Sequence, residues 1–403
     1  LEPAFYPNDP QYPNAWHLPK IGAPQAWDYT QGNPVTIAIL DTGVDTTHPD
    51  LQPQLVAGWN FYDNNNNVSD VQGHGTAIAG IAAAAGNNAI GVASVSFRSK
   101  IMPMRVTNTS GGGYYSLMAS ALTAAADNGA RVANISFLGV SLSSTVDSAA
   151  QYMRSKGGVV VIAGGNTGSL RTDPPSDAFT AVSATATSDS IAPFSSWGDY
   201  IDIAAPGITI YTTTRGGGYG PVNGTSASSP VVAGVYALMM SANPALKPAT
   251  LDNILFDTAL DLGTTDWDQY FGYGRVQAAN AVAKARGTSS SDSQAPTVAI
   301  ASPTGGTVSG LVPVDVTAAD NVAVARVELY VNSSLSSTDT LDPYGFTFDS
   351  TKYQDGQVIL EARAYDAAGN AASSSKVTVT VDNITDSNTN TTPNTKPHSH
   401  RKK

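Results

Sequence analysis

The chain has 403 residues, a formal net charge of −11 and no cysteine. Without cysteine there can be no disulfide, no thiolate zinc site and no cysteine nucleophile. An acidic chain also lacks the basic face that a nucleic-acid partner requires. No apolar run reaches the roughly 18–20 residues that span a bilayer, so we expect neither nucleic acid nor membrane among the partners.

The chain begins at Leu1, without an initiator methionine, a basic segment or an apolar leader. This start predicts that an earlier signal or pro-segment has been removed. Together with the polar composition and the absence of cysteine, it predicts a secreted, extracellular bacterial protein.

Residues 1–286 alternate short apolar runs with longer Ala-rich segments. The apolar runs lack regular polar positions, which is typical of parallel strands buried on both faces. They are 35–40, 101–106, 132–137 and 159–163, and helices are predicted at 116–128 and 143–156. This order predicts an α/β domain with a doubly wound, mainly parallel sheet. Ligands of such sheets bind beyond the carboxyl ends of the strands.

After Arg286 the sequence becomes polar and rich in serine, which predicts a linker over 287–294. A domain over 295–382 then carries β-branched runs separated by Gly, Asp, Asn and Pro, a pattern that predicts a small all-β sandwich. Its predicted strands are 314–318, 326–331, 358–364 and 376–381. With Asp320, Asn321 and the 364–370 segment, it resembles a bacterial immunoglobulin-like domain. Residues 383–403 are predicted to be a disordered tail.

Three short motifs carry the chemistry. Asp41 directly follows the first predicted strand, His74 lies in Gly-His-Gly-Thr, and Ser226 lies in Gly-Thr-Ser-Ala-Ser-Ser-Pro. A serine hydroxyl needs a base to take its proton and an acid to orient that base. Predicted helices at 76–85 and 228–241 place the base and the nucleophile beside helix N-termini, where the dipole favours negative charge. The chain order Asp, His, Ser is the order found in subtilisin.

On these motifs the chain resembles the subtilisin-like serine peptidases, in their thermitase-like branch. The resemblance implies that Asp41, His74 and Ser226 are catalytic. It also implies an oxyanion hole made by the Asn166 amide and the backbone N–H of Ser226. Asn134 is the competing candidate for that amide, but it lies inside a predicted strand, where we expect it to support the site.

The resemblance further implies two substrate-binding edges between which an extended peptide would add as a strand. One edge follows the strand at 132–137 and forms the first specificity pocket with the end of the strand at 159–163. The other is an edge strand near residue 111, followed by a hydrophobic subsite whose two residues could equally be core residues. The predicted residues are Ser110, Gly111, Gly112, Tyr114, Leu117, Ser136, Phe137, Leu138, Gly139, Ala163, Gly164 and Gly165.

The resemblance also implies structural calcium, a hard cation that takes oxygen ligands. The matching ligands are three side chains and three backbone carbonyls: Asp9, Asp50, Asn88, and Ala85, Ile90 and Val92. A second family site would fall at 60–69, where Asn60 and Asn65 replace acids, so we expect low affinity or a plain polar turn. No organic cofactor is expected. A cis peptide is predicted before Pro175, where the family has one.

These features predict a monomeric serine endopeptidase that hydrolyses extended protein or peptide substrates through an acyl-enzyme, with a broad apolar or aromatic preference. An esterase or polyester depolymerase using the same triad remains an alternative. A different class is an adhesion protein with an inactive hydrolase domain, although no catalytic position is lost. The immunoglobulin-like domain could hold the enzyme on an insoluble polymer or act only as a spacer.

Overall fold

The computed structural model describes residues 5–287, 294–320, 324–340, 342–366 and 370–383. The chain forms two compact units that divide between Ser293 and Gln294. The predicted linker, apart from Gly287 and Gln294, and the predicted tail, apart from Asn383, lie outside the described residues. Of the helices that are described, none is long and apolar enough to cross a membrane.

The first unit is built on a seven-stranded sheet in which every neighbouring pair is parallel. Its strands are β1 Thr36–Asp41, β2 Trp59–Asn60, β3 Lys100–Arg105, β4 Val132–Ile135, β5 Val159–Ala163, β6 Thr180–Thr185 and β7 Ile203–Pro206. The spatial order is β2-β3-β1-β4-β5-β6-β7, so β1 is an interior strand. Its last residue, Asp41, lies at the carboxyl ends of the strands.

Helices cover both faces of this sheet. They are α1 His17–Lys20, α2 Ala23–Trp27, α3 His74–Ala83, α4 Tyr115–Asp127, α5 Ser144–Ser155, α6 Thr225–Ala242, α7 Pro248–Asp257 and α8 Ala278–Ala285. A hairpin of β8 Ile210–Thr214 and β9 Gly218–Val222 precedes α6. Alternate residues of β1 enter two separate cores: Ile37 and Ile39 pack with α3 and α6, whereas Ala38 and Leu40 pack with α4 and α5.

The predicted fold class is therefore confirmed: the sheet is parallel, doubly covered and buried. The predicted strands and helices correspond to β1, β3, β4, β5, α4 and α5 within about two residues at each end, the usual uncertainty of element boundaries. Two helices begin earlier than predicted. As a result His74 is the first residue of α3 and Ser226 is the second residue of α6.

The second unit is an all-β sandwich, as predicted. One sheet has the order β10-β12-β15, and the other has the order β11-β18-β16-β13-β14, with β17 paired to β16. The strands are β10 Thr297–Ser302, β11 Gly306–Val308, β12 Leu311–Ala319, β13 Val324–Val331, β14 Ser334–Asp339, β15 Tyr344–Asp349, β16 Gly356–Asp366, β17 Ala371–Ser373 and β18 Val377–Val381. Val314, Leu329, Phe348 and Leu360 contribute to its single apolar core.

The face of β13 and β16 that points away from this core carries an ordered polar stripe. The Arg326 guanidinium lies 3.8 Å from the ring centre of Tyr365, and the Arg363 guanidinium lies 4.1 Å from that of Tyr330. Glu328 accepts hydrogen bonds from Arg326 Nε at 2.8 Å and from the Tyr330 hydroxyl at 2.7 Å. These contacts hold the aromatic rings of the stripe in fixed positions.

Candidate active site

The carboxyl end of β1 and the first turn of α3 bring Asp41 and His74 together. His74 Nδ1 lies 2.8 Å from Asp41 Oδ1 and 2.9 Å from Oδ2. Asp41 is fully buried, whereas about a third of the His74 side chain is exposed. The backbone N–H of Thr42 donates to Asp41 Oδ1 at 2.7 Å and fixes the carboxylate. The remaining ring nitrogen of His74 is thus available on the exposed side.

A second buried carboxylate, Asp70, organises the segment that carries His74. Its Oδ1 accepts from Thr42 Oγ1 at 2.8 Å, from Gln72 N at 3.0 Å and from Gly73 N at 2.7 Å. Its Oδ2 accepts from the N–H and the hydroxyl of Thr76, in the first turn of α3. Asp70 therefore joins the end of β1 to the start of α3. Asp70 was not predicted from the sequence, because it lies three residues before Gly73, the N-cap of α3, and no motif marks it.

The charge around His74 favours its protonated form. Partial burial opposes ionisation of the ring, but the charge and hydrogen bond of Asp41 and the charge of Asp70 outweigh it. Together they raise the pKa of His74 above its ordinary value of 6.5. The ring is therefore a stronger base than a free histidine, which suits a group that must take a proton from an alcohol.

Ser226 and Asn166 meet beside Gly224. A carbon atom built as a side chain on Gly224 would lie 2.8 Å from Ser226 Oγ and 3.3 Å from Asn166 Nδ2, so any larger residue there would obstruct both groups. The amide oxygen of Asn166 accepts from Thr225 N at 2.8 Å and from Thr225 Oγ1 at 2.9 Å. This leaves Nδ2 as the free donor of the amide, next to the hydroxyl of Ser226.

Asn134 and Ser136 lie behind the serine and do not face the amide donor. Asn134 is fully buried and donates from Nδ2 to Ser136 Oγ at 2.8 Å. Ser136 Oγ in turn donates to the carbonyl of Ser226 at 3.1 Å and lies 3.0 Å from Ser229 Oγ. These contacts fix the first turn of α6. The expectation that Asn134 supports the site agrees with this geometry. The hydroxyl of Ser136, a predicted substrate-binding residue, is hydrogen-bonded within the same network.

Ser226 and His74 line one open cavity of about 660 Å³. No hydrogen bond joins Ser226 Oγ to the His74 ring among the contacts of the described residues, and such contacts often tighten only when substrate binds. The arrangement contains a hydroxyl, a basic imidazole, a buried carboxylate and an amide donor, which are the parts that acyl transfer needs.

Several predicted pocket residues also converge on this centre. The Phe137 ring centre lies 6.4 Å from that of His74. Leu138 is about half exposed, and its Cδ1 occupies the space that a side chain on Gly165 would need. Gly165 N donates to Thr225 Oγ1 at 2.9 Å. The residues after β4 and those after β5 therefore form adjacent walls next to the serine.

The predicted strand conformation of Ser110, Gly111 and Gly112 is wrong, whereas their predicted contact with substrate stays a prediction. Asn108 closes this segment into a tight turn: its Oδ1 accepts from Ser110 N at 2.9 Å and from Gly112 N at 3.0 Å, and its carbonyl accepts from Gly111 N at 3.1 Å. None of these three N–H groups is left to pair with a peptide. Beyond the turn, Tyr114 is exposed and Leu117 packs against the core under α4.

Comparisons with known proteins place this geometry in a family. The Subtilase family profile matches residues 32–274, and a bacterial Ig domain profile matches residues 296–400. The chain is 40% identical over 284 residues to thermitase of Thermoactinomyces vulgaris, covering 69% of this chain and 99% of thermitase.

The chain belongs to the subtilase family. It is also 39% identical over 283 residues to a thermophilic serine proteinase of Bacillus sp. strain AK1, covering 69% of this chain and 70% of that protein. A solved protease structure from Pseudoalteromonas arctica matches with a TM-score of 0.63 at 30% identity, over 69% of this chain and 99% of that one. The chain is therefore a serine endopeptidase with a C-terminal immunoglobulin-like domain.

The predicted calcium ligands of this subtilase gather around the loop after α3, with Asp9 and Asp50 reaching it from two other segments. Asp9 accepts from Asn87 N at 2.7 Å and from Asn88 N at 3.2 Å, and Asp50 accepts from Val92 N at 2.9 Å. Asn88 Nδ2 lies 3.0 Å from Asp50 Oδ1 and 3.4 Å from the Ala85 carbonyl. Burial and the neighbouring charge of Asp50 raise the pKa of Asp9, against the effect of its N–H partners.

The chemistry of this donor set fits calcium. Asp9 and Asp50 are buried, and no lysine or arginine among the described residues pairs with them. The described residues contain no group of three or more His, Cys, Asp or Glu that could hold a metal, so the remaining ligands must be amide and backbone oxygens. A half-turn of the Asn88 amide would present its oxygen in place of its nitrogen.

The predictions for the 60–69 loop and for the bond before Pro175 have different outcomes. In the loop at 60–69, Asn60 and Asn65 pair through their backbones, and Arg105 Nη1 lies 3.1 Å from Asp63 Oδ2, so a protein cation already neutralises the acid of this polar turn. The cis peptide predicted before Pro175 is wrong: the bond is trans. Trans is the preferred isomer of an X–Pro bond.

Proposed function

We propose that this subtilase cleaves extended protein chains through an acyl-enzyme formed on Ser226. The observation that carries this assignment is the pair of contacts between Asp41 and His74, at 2.8 and 2.9 Å, beside a cavity that Ser226 also lines. In this mechanism Ser226 is the nucleophile, His74 is the general base and acid, and Asp41 orients the ring.

The proposed reaction has two halves. His74 Nε2 takes the proton of Ser226 Oγ as the hydroxyl attacks the scissile carbonyl, and the new oxyanion accepts hydrogen bonds from Asn166 Nδ2 and the backbone N–H of Ser226. The intermediate collapses when His74 passes the proton to the leaving nitrogen. Water, activated by the same ring, then hydrolyses the acyl-enzyme and restores the serine.

The residue before the cleaved bond is proposed to be apolar or aromatic. Support comes from the exposed Leu138 and the half-buried Phe137 on one wall and from the small residues Gly164 and Gly165 on the other. Such walls offer apolar contact and no fixed charge, which predicts broad selectivity within this class.

The test compares the chain with its Ser226→Ala variant on internally quenched peptides that carry Phe, Leu, Ala, Lys or Asp before the cleaved bond, and on matched esters. We expect hydrolysis of the Phe and Leu peptides, weaker hydrolysis of the Lys and Asp peptides, and loss of turnover in the variant. Turnover that survives Ser226→Ala would refute the nucleophile. Ester hydrolysis without peptide hydrolysis would favour the depolymerase alternative.

We also propose that the loop after α3 holds a structural calcium ion. The side chains of Asp9, Asp50 and Asn88 and the carbonyls of Ala85, Ile90 and Val92 would hold it. The ion would supply positive charge to two buried carboxylates that the protein leaves without a cation. It would thereby stabilise the fold and take no part in the reaction.

We further propose that the enzyme is secreted as a monomer and that its immunoglobulin-like domain binds insoluble polymer. The supporting feature is the stripe on β13 and β16, whose Tyr330 and Tyr365 are fixed by arginine stacking. Tyrosine combines an apolar ring with a polar hydroxyl and is enriched at binding interfaces. The test is co-sedimentation of the full-length Ser226→Ala protein with insoluble elastin or chitin. Adding Tyr330→Ala and Tyr365→Ala should lower the fraction of protein that sediments with the polymer. If the proteins with and without the tyrosine substitutions sediment equally, the domain is a spacer.

A further inference from the structure

The cavity beside Ser226 and His74 has a definite orientation. Besides Ser226, its lining comes from two segments: one at the start of α3, with Gln72, Gly73, His74, Ala77 and Ile78, and one at the two ends of the β8–β9 hairpin, with Thr214, Arg215, Pro221, Val222 and Asn223. Phe137, Leu138, Gly165 and Asn166, which flank the proposed acyl side, do not line it. Since His74 must hand its proton to the leaving nitrogen, a cavity lined by His74 and Ser226 but not by the acyl-side residues receives the leaving segment. This step rests on the proposed function.

One permanently charged side chain lines this cavity. It is Arg215, at the end of β8, and no carboxylate belongs to the lining, although the chain contains 32 acidic residues. No ion pair of the described residues includes Arg215. Its charge is therefore available to a ligand in the cavity.

One hydrogen bond orients the guanidinium of Arg215, which is otherwise exposed. Its Nη1 donates to the backbone carbonyl of Asp70 at 3.2 Å. Its Cβ lies 3.9 Å from the point where a side chain on Gly73 would begin, directly before His74. The neighbouring Gly216 N donates to Asp45 Oδ2 at 2.8 Å, which anchors the hairpin turn. A planar guanidinium with unused N–H donors matches a carboxylate.

We propose that Arg215 selects substrates that carry a carboxylate in the leaving segment, within the first three residues after the cleaved bond. The carboxylate has two possible sources, an Asp or Glu side chain or the terminal carboxylate of a short leaving peptide. The nearby Asp45 weakens the attraction but does not cancel it, because its oxygens accept hydrogen bonds from Thr47 and Gly216 and it does not line the cavity.

The experiment measures kcat/KM on internally quenched peptides with one constant acyl side. One arm places Asp, Asn or Lys at the first, second or third position after the cleaved bond, with the C-terminus amidated. The other arm compares free-acid and amidated forms of substrates with a two- or three-residue leaving segment. We expect about a three- to fivefold preference for Asp over Asn at one of these positions, the scale of a partly exposed ion pair. It should shrink at 0.5 M salt, where the Debye length falls to about 4 Å.

Three variants assign the effect. Arg215→Gln should abolish the Asp-to-Asn ratio, and Arg215→Glu should invert it in favour of Lys. The matched control is Arg98→Gln, which removes an exposed arginine just before β3, at the amino end of the strands, and should leave the ratio unchanged. A preference confined to the free-acid arm identifies the terminal carboxylate as the ligand.

Two results would overturn the proposal: no preference for a carboxylate in either arm, or a preference that persists in Arg215→Gln. Neither result would touch the proposed function, because the amidated Asn peptides report hydrolysis itself. If those peptides are not cleaved at all, or if Ser226→Ala still cleaves them, the proposed function fails instead.

Discussion

Two pairs of buried carboxylates in the catalytic unit differ in how their charge is balanced. Asp41 and Asp70 flank the start of α3, and together they raise the pKa of His74. Asp9 and Asp50 flank the loop after the same helix, where they accept hydrogen bonds from backbone and amide N–H groups and where the Tyr219 hydroxyl also faces Asp50. The negative charge of the first pair is compensated by His74, which gains and loses a proton. Among the described residues no lysine or arginine pairs with the second pair, and the nearby His48 ring contacts the backbone N–H of Asp50 and not its carboxylate.

The difference teaches why one pair suits catalysis and the other suits a metal. Burying a charge is unfavourable unless a counter-charge or several hydrogen bonds compensate it. At the first pair the imidazole can supply the counter-charge during the reaction and then give it up. At the second pair a fixed dication would supply it permanently.

The largest effect should follow Asp41→Asn. The amide can no longer hold the imidazole in the tautomer that leaves Nε2 free to accept a proton. We expect kcat/KM to fall by about 10⁴-fold, the size of the loss on replacing the carboxylate of a serine-protease triad. The measurement is peptide hydrolysis at pH 8, and circular dichroism controls for folding. A loss of less than tenfold would remove Asp41 from the mechanism.

The next effect concerns the second pair of carboxylates. In the inactive Ser226→Ala background, calcium at 100 times its dissociation constant should stabilise the fold by about 2.7 kcal/mol, which raises the melting temperature by several degrees. Asp50→Asn should remove most of this shift. Asp63→Asn, in the loop where Arg105 already supplies the cation, should retain it. Identical melting curves in calcium and in chelator would exclude the site.

A residue of the fold or the site could be predicted from the sequence when its contacts lie close to it along the chain. Asp41, His74 and Ser226 are marked by local motifs, and the parallel sheet follows from apolar runs that need no knowledge of their neighbours. The ligands at Asp9, Asp50 and Asn88 come from distant segments, and they were found only by resemblance. Asp70 carries no motif of its own, because its function is to accept hydrogen bonds from Thr42, Gly73 and Thr76.

The two wrong predictions have separate physical reasons. The edge strand failed because the side chain of Asn108 closes its own backbone into a turn, and a cluster of Asn, Ser and Gly is a turn signal that outweighs the resemblance. The isomer before Pro175 cannot be read from the sequence, since cis and trans differ by only about 0.5–1 kcal/mol and the surroundings decide.

A smaller effect should follow Asp70→Asn. The amide places N–H groups where the carboxylate accepts hydrogen bonds, so the start of α3 loosens, and the charge that favours protonated His74 is lost. We expect kcat/KM to fall about tenfold, the size of one displaced charge-assisted contact. The acid limb of the pH profile should move to lower pH, because His74 then loses its proton more readily.

The pH profile separates positioning from simple loosening. Asp45→Asn removes a carboxylate from the same side of the molecule, one that bonds to Thr47 and Gly216 and not to the His74 segment, and it should leave the acid limb closer to that of the parent. An acid limb that stays in place in Asp70→Asn would mean that Asp70 holds the backbone but does not act on the ring.

The smallest effect concerns Asp202, a carboxylate that has neither an imidazole nor a proposed metal ion to compensate its charge. It accepts one N–H, from Ala181 at 2.7 Å, while the nearby Arg154 is already paired with Asp252 at 2.6 Å. Burial and the charge of Asp252 raise the pKa of Asp202 to about 7, against the effects of Ala181 and Arg154. The folded state therefore binds a proton that the unfolded state, with a pKa of 3.8, has already lost. Stability should fall as pH rises from about 4 to 7 and then level off.

Asp202→Asn should remove this fall, because the amide keeps an oxygen for Ala181 and carries no charge. In the Ser226→Ala background, urea unfolding at pH 8 should show a gain of about 1 kcal/mol over the parent, discounted for partial solvent screening, and almost none at pH 4. Asp199→Asn, an exposed carboxylate nearby, serves as the control and should give no such difference. A gain of equal size at both pH values would mean that packing at this position, and not an uncompensated charge, sets the effect.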